Sequence, residues 1–453
     1  MELIRSISGI RGIIGSNFND VIAAEYAKSF SYIQPDGPIL IGRDTRNQGA
    51  EISDAIKNSL TSLGRDILDC DIVPTPVIQF LTKKLNASGA IMITASHNPE
   101  EWNGLKFIDF DGCFINRDKN EKLIYNIDNN ILYKKTPKSG QIIDKRKSIS
   151  LFINSLLKLD FIDTDNIKKK KFKVVVDTVN GANYNLLPHL LKNLNCDVIE
   201  LFCDSSGVFG RGPEPVPENL NLLCKKVSKE KADLGLASDP DGDRLSIVDN
   251  KGNAIGEENT LVLCADTYYN ETKSKSPLVT NLSSSMCLDF IASRHNIPIF
   301  RSAIGEANVI ELMKNKDSSF GGEGNGGVIL KDIHLGRDSL VATIMILNML
   351  AKKNNSLSHI MTDIPNYYMI KEKVNIPNID VSLFYEHLSN IYSESKKNMI
   401  DGLKLSWQDK WLHIRNSNTE PVIRIIAESS HLKTTQELIQ DTINQLNKYC
   451  DEN

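Results

Sequence analysis

The sequence predicts an α/β protein: three successive α/β domains with mixed, mainly parallel sheets, followed by a C-terminal α+β domain. Three observations carry this reading. Short β-branched runs alternate with amphipathic stretches, the rhythm breaks near Tyr368, and 453 residues exceed what one hydrophobic core organises.

The rhythm starts at 39–41, continues through an amphipathic stretch at 50–63 closed by Gly64, and returns to an apolar strand at 90–94 that enters a polar loop. It recurs at 174–176 with a helix at 182–194, and at 234–237 with the turn Asp239-Pro240-Asp241-Gly242-Asp243. A third series places strands at 278–280 and 297–300 and helices at 286–295 and 307–314. From Tyr368 the pattern becomes strand, helix, three closely spaced strands and a last helix at 434–449. The expected domain limits are 1–150, 151–254, 255–365 and 366–453.

Composition narrows the function classes. A hydrophobic share of 41% and a charged share of 24% are those of an ordinary globular protein. A net charge of -4 supplies no global positive field for nucleic acid or anionic lipid. The basic cluster Lys168 to Lys171 has no interleaved aromatic residue for base stacking and reads as a solvated surface connection. The opening residues place Glu2 where a signal peptide carries bases, and the apolar stretch 340–351 is too short to cross a bilayer. The 8 cysteines form no C-x-x-C pair, as expected of reduced thiols in a cytoplasmic protein. No nucleic acid or membrane partner is expected.

Four polar constellations carry the chemistry. Thr94-Ala95-Ser96-His97-Asn98-Pro99 follows an apolar strand, where loops of open α/β sheets bind ligands. A serine becomes a nucleophile only with help, and His97 and Lys106 are local candidates. Neighbours in an extended loop point apart, so Ser96 and His97 do not by themselves make a hydrolase dyad. Alone, the loop reads more readily as a helix-capping serine with a hydrogen-bonded histidine than as a catalytic one. Asp239, Asp241 and Asp243 occupy alternate positions of a Pro/Gly turn and can converge on one hard cation, with Mg²⁺ the best match; Arg244 beside them can hold phosphate. An EF-hand is excluded, because Asn250 stands at the twelfth position. The glycine-rich Gly321 to Gly327 segment carries Glu323 and Asn325 two apart, a spacing that lets both face one side and grip neighbouring hydroxyls. Arg415, Ser417, Asn418 and Thr419 share one turn and offer a cationic fork with neutral donors for a phosphate, and Arg424 follows on the next strand.

Together these segments resemble the α-D-phosphohexomutase superfamily, the phosphoglucomutase, phosphomannomutase and phosphoglucosamine mutase group. Thr94 to Pro99 looks like its phosphoserine loop, Asp239 to Arg244 its magnesium loop, Glu323 to Gly327 its sugar loop and Arg415 to Pro421 its phosphate loop. Ser8 to Gly12, Gly42 to Arg46, Pro213 to Pro215 and Gly336 to Asp338 are similar too. One departure stands out: many members have Ser-Gly-His where this chain has Asn325-Gly326-Gly327.

The resemblance implies four domains around a central cleft and a phosphoserine at Ser96 whose phosphate completes a Mg²⁺ shell with the three aspartates. It also implies transfer through a hexose 1,6-bisphosphate, which serves as intermediate and activator. The expected activity is interconversion of glucosamine 6-phosphate and glucosamine 1-phosphate for amino-sugar nucleotide synthesis, with glucose or mannose phosphate as the alternative. Lys106 and Arg11 are the candidates for proton transfer and His97 for phosphate positioning. The partner is a small phosphosugar, and the chain is expected as a monomer or homodimer. Two other classes fit fewer of the motifs: a phosphatase with Asp239 as nucleophile, and a non-enzymatic phosphosugar-binding protein.

Overall fold

A computed structural model describes every residue except 1, 8, 132, 134–137, 376–380, 417–421 and 453. It divides into two compact units, Met1–Ser274 with Ser319–Met361, and Lys275–Ser318 with Thr362–Asn453.

In the first unit a seven-stranded sheet runs in the order Ile4–Ser6, Gly9–Ile13, Trp102–Asp109, Gly89–Ile93, Ile39–Arg43, Ile67–Ile72, Ile142–Asp144. The sheet is mixed: ladders among the first four strands are antiparallel, and those from Gly89–Ile93 onward are parallel. Gly89–Ile93 is buried along its whole length, as a central strand covered on both faces must be. It therefore delivers the Ser96 loop from a rigid base. Helices Asp20–Ile33, Gly49–Ser62 and Thr75–Lys84 accompany this sheet, the first capped by Asn19, whose side chain accepts from the Ile22 N–H.

A second sheet orders Leu245–Val248, Leu234–Ser238, Lys173–Asp177 and Asp197–Leu201, the first ladder antiparallel and the others parallel. Its fully buried strand Leu234–Ser238 ends directly at Asp239. The expected helix at 182–194 starts only at Leu186, because Val179 and Asn180 adopt left-handed backbone and the Ala182 N–H donates to the Pro240 carbonyl at 2.7 Å. That segment is a brace for the aspartate turn. Lys168 to Lys170 end a short helix, Thr164–Lys170, capped by Asp163. An antiparallel meander, Phe320–Glu323, Gly327–Leu330 and His334–Arg337, packs on helix Glu258–Thr272. The apolar stretch at 340–351 lies in helix Ser339–Lys353, buried from Ser339 to Ala351, where Asn348 Oδ1 accepts from the Asp163 N–H at 2.9 Å. Among the described residues no helix is long and apolar enough to cross a membrane.

The second unit contains the parallel pair Leu278–Asn281 and Ile299–Ser302 with helices Cys287–His295 and Glu306–Asn315. Its antiparallel sheet orders Tyr368–Asn375, Val422–Ser429, Lys410–Asn416, Leu403–Ser406 and Lys396–Asn398, with helices Val381–Ile391 and Leu432–Glu452. One strand exceeds expectation: Lys396–Asn398 is wholly polar and left no apolar run to mark it. The expected strand at 297–300 begins at Ile299, since Asn296 closes the preceding helix in left-handed backbone and Pro298 has no N–H to donate.

Polar links inside this unit are buried. Glu428 accepts from Ser285 Oγ at 2.5 Å, the Met286 N–H at 2.7 Å and Trp411 Nε1 at 2.8 Å. His413, fully buried, donates from Nε2 to the Asp401 carbonyl at 2.6 Å, so its Nδ1 accepts from Ser283 Oγ at 2.7 Å. Burial pushes the imidazole down to about 4. Its stabilisation is complete above the ordinary value near 6.5, where both states are neutral, and is lost as pH falls from there towards 4 because only the unfolded chain takes the proton. Denaturant unfolding followed by tryptophan emission should lose up to about 3 kcal/mol through this window. His413→Gln should flatten the slope by about one proton.

Candidate active site

Asp239, Asp241 and Asp243 are completely buried, and one oxygen of each lies within 4.8 Å of the others. The turn that carries them is held from three sides. The Asp241 carbonyl accepts from the Thr75 N–H at 2.9 Å and its Oδ2 from Thr75 Oγ1 at 2.5 Å, at the N-terminus of helix Thr75–Lys84, where partial positive charge favours a carboxylate. Asp239 Oδ1 accepts from the N–H groups of Asp243 and Arg244 at 3.1 and 3.2 Å. Gly242 takes φ +74°, and a β-carbon there would stand 2.6 Å from Asn183 Nδ2.

Charge compensation is incomplete. Lys106 Nζ reaches Asp241 Oδ2 at 2.6 Å and Asp243 Oδ2 at 3.4 Å, and Arg337 Nη2 reaches Asp243 Oδ2 at 2.7 Å. Burial, then Asp243 and Asp241, push the Asp239 carboxyl well up, whereas Asp243 is held down because Arg337, Lys106 and Arg244 outweigh its burial. Asp241 Oδ1 and Asp243 Oδ1 are buried with no hydrogen-bond partner among the described residues. Bare inward carboxylate oxygens on converging aspartates fit a hard divalent cation such as Mg²⁺.

Ser96 sits beside this cluster, its Oγ 3.5 Å from Asp239 Oδ2. It is buried and holds φ +50°, a left-handed conformation that a serine keeps only when its surroundings impose it. Arg46 imposes it. This fully buried guanidinium donates to the carbonyls of Ser96, Asn98 and Pro99 at 2.7, 2.7 and 2.5 Å while its Nε pairs with Asp44 Oδ2 at 3.1 Å. Asp44 Oδ2 also accepts from Thr94 Oγ1, and Thr94 Oγ1 accepts from the Ser96 N–H.

The same backbone twist corrects one expectation. Ser96 and His97 do not point apart: their Oγ and Nδ1 are 3.4 Å from each other. Nδ1 also faces Arg244 Nη2 at 3.1 Å; arginine only donates, so Nδ1 carries a lone pair and the ring proton is on Nε2. Arg244, then burial, push His97 well down, which keeps it neutral. Lys106 goes the other way: burial lowers it, but Asp241 and Asp243 more than offset that and hold it as a cation. Arg11, on the second strand of the seven-stranded sheet, donates to Asn98 Oδ1 at 3.0 Å.

Three family models match: phosphoglucomutase/phosphomannomutase alpha/beta/alpha domain I over 3–134, domain II over 150–252 and domain III over 257–368. The chain belongs to the α-D-phosphohexomutase superfamily. It is 33% identical to a phosphoglucomutase/phosphomannomutase of Thermococcus kodakarensis, over 95% of this chain and 96% of the relative. It is 29% identical to a phosphoglucosamine/phosphogalactosamine mutase of Sulfurisphaera tokodaii, over 96% of each. A solved phosphoglucomutase/phosphomannomutase family protein of Burkholderia thailandensis superposes with TM-score 0.86 at 25% identity, covering 99% of this chain and 98% of that one.

As a phosphohexomutase the chain is an isomerase of a magnesium-dependent class, which sets aside the phosphatase and binding-protein alternatives. Its glycine-rich segment holds Glu323, nearly inaccessible, whose Oε2 accepts from Arg337 Nη1 at 2.9 Å. Asn325 is half-buried, and its Oδ1 accepts from the Gly327 N–H at 3.3 Å. In the second unit Arg415 and Arg424 are directly opposed on paired strands, with Arg415 Nε 3.4 Å from Asp401 Oδ1. Ser417, Asn418 and Thr419 lie outside the described residues. Sequence reasoning assigned no role to Arg46, Thr75, Glu214 and Arg337. Glu214 accepts from Arg244 Nη1 at 2.9 Å. The motifs containing Arg46, Glu214 and Arg337 were visible, but a one-dimensional pattern does not say which member turns inward.

Arg46→Lys keeps a cation but loses the fork. Turnover should fall about 10- to 100-fold, while Mg²⁺ binding followed calorimetrically stays within about twofold, because Arg46 fixes the serine loop and not the triad. Parallel loss of metal binding would contradict that division of labour.

Proposed function

We propose that the phosphohexomutase interconverts glucosamine 6-phosphate and glucosamine 1-phosphate, feeding amino-sugar nucleotide synthesis in the cytoplasm. Ser96 would carry the transferable phosphoryl group. The observation that carries this reading is the Ser96 hydroxyl 3.5 Å from a fully buried carboxylate triad with bare oxygens.

Asp239, Asp241 and Asp243 would hold Mg²⁺, which, when bound, supplies positive charge to the phosphoryl group in transfer. The chain's own residues set the geometry. In the forward half-reaction the bond between phosphorus and Ser96 Oγ breaks as one forms to the oxygen of the free sugar hydroxyl, and Ser96 Oγ takes up one proton as that hydroxyl gives one up. The product is a hexose 1,6-bisphosphate, which turns over and returns its other phosphate to Ser96. Neutral His97, with its proton on Nε2, would donate to a phosphate oxygen, and Arg244 would share that phosphate. Lys106 and Arg11 are the cations proposed to handle protons beside Ser96; Lys106 enters that role charged, as a donor to the serine oxygen. Glu323 and Asn325 would orient ring hydroxyls. Arg415, Ser417, Asn418, Thr419 and Arg424 would hold the non-reacting phosphate, whose binding energy aligns the reacting end.

The name borne by the Sulfurisphaera relative supports an amino-sugar substrate. The name of the Thermococcus relative favours a second reading, glucose and mannose phosphate, with the same chemistry. Coupled assays should give the highest kcat/KM with glucosamine 6-phosphate; strong turnover of mannose or glucose phosphate beside negligible glucosamine phosphate would select the second reading. Peptide mass mapping should find one phosphate on Ser96, and Ser96→Ala should lower kcat on the order of 10³-fold or more.

A further inference from the structure

The meander of the first unit places Glu323 opposite Gly327 and Ile329 opposite Arg337. Alternate residues of a strand share a face, so Gly327 lies diagonal to Arg337, in the gap between it and Glu323. The Arg337 side chain, itself buried, crosses that gap. One arm donates to Glu323 Oε2 at 2.9 Å and the other to Asp243 Oδ2 at 2.7 Å. A β-carbon at 327 would stand 2.2 Å from Arg337 Cδ and 2.7 Å from Cγ. Gly327 does not occupy the left-handed region, so its lack of a side chain answers a steric demand and not a conformational one.

We propose that Arg337 is a positioning residue that ties the sugar-facing carboxylate of Glu323 to the aspartate triad, and that Gly327 is bare so that the arginine can pass. The proposal rests on the reading of Glu323 as a sugar contact and of the triad as the metal seat. A planar guanidinium has two donor arms at fixed separation and can grip two carboxylates at once; an ammonium on a flexible stem cannot reproduce that span. Through it, the group orienting the sugar ring and the group handling the phosphoryl share one rigid reference. Both half-reactions need that registry, because each presents a different hydroxyl to the same place.

Arg337→Lys preserves the charge and removes the two-armed bridge. It should raise KM for the phosphosugar about 10- to 100-fold and weaken Mg²⁺ binding to the folded protein, measured by calorimetry without substrate, about 3- to 10-fold. Combined with Glu323→Gln, the two KM effects should be strongly non-additive, which a role in general stability would not produce. Unchanged metal affinity together with additive KM effects would overturn the bridge. If Glu323→Gln alone leaves KM unchanged, the sugar-contact reading fails instead; if it raises KM while Arg337→Lys changes neither quantity, that reading stands and the bridge falls. Should Arg337→Lys not fold, Gly327→Ala, which displaces the arginine stem and keeps its charge, should raise KM in the same direction, and an unaltered KM there would also refute the proposal.

Discussion

Everything at this site follows from burying three carboxylates together. Taking one ion out of water costs several kcal/mol even after relaxation, and three like charges within 4.8 Å add repulsion to that. The first unit meets the cost with cations delivered from separate elements: Lys106 from the edge half of the large sheet, Arg244 from the end of the turn and Arg337 from the meander. Their number is not enough to satisfy every oxygen. Two oxygens, Asp241 Oδ1 and Asp243 Oδ1, keep no hydrogen-bond partner among the described residues, the latter with Arg244 Nε at 3.7 Å, and they fit a hard divalent cation.

Strain at the serine belongs to the same economy of placement. A left-handed Ser96 exposes its hydroxyl toward Asp239 and swings His97 back onto it, and neither would follow from an extended loop. Such a conformation persists only if the surroundings over-determine it. Arg46 supplies the over-determination through three carbonyls, and Asp44 orients Arg46 and Thr94 at once. The Ser96 loop is therefore held through its carbonyls by the Arg46 guanidinium, while the Ser96 hydroxyl faces the carboxylate of Asp239. The two tasks fall to different residues.

Much of this could be read from sequence, for identifiable reasons. The α/β rhythm, the Ser96 loop and the aspartate turn each announce themselves within a few residues, because period and composition are local. The brace at 178–185 did not, since its shape is set by a hydrogen bond to Pro240, far away in sequence. Thr75 was invisible for the same reason: nothing about a threonine at a helix start says that its hydroxyl meets Asp241. The expectation that Ser96 and His97 point apart failed because one positive φ reverses the usual alternation. Lys396–Asn398 escaped notice because an edge strand can be polar throughout.

The two units share an electrostatic logic with opposite signs. In the first, clustered carboxylates leave two oxygens without a hydrogen-bond partner among the described residues. In the second, Arg415 and Arg424 face each other across paired strands, a like-charge contact that destabilises a sheet unless something intervenes. Asp401 offsets part of it from 3.4 Å, but the same carboxylate also accepts from the Ile304 N–H at 2.9 Å, so its charge is already engaged. One cluster is acidic with unpartnered oxygens, and the other is a pair of opposed arginines. A ligand of opposite charge that seats on either cluster in the folded chain and has no equivalent seat on the unfolded one adds to stability as it binds.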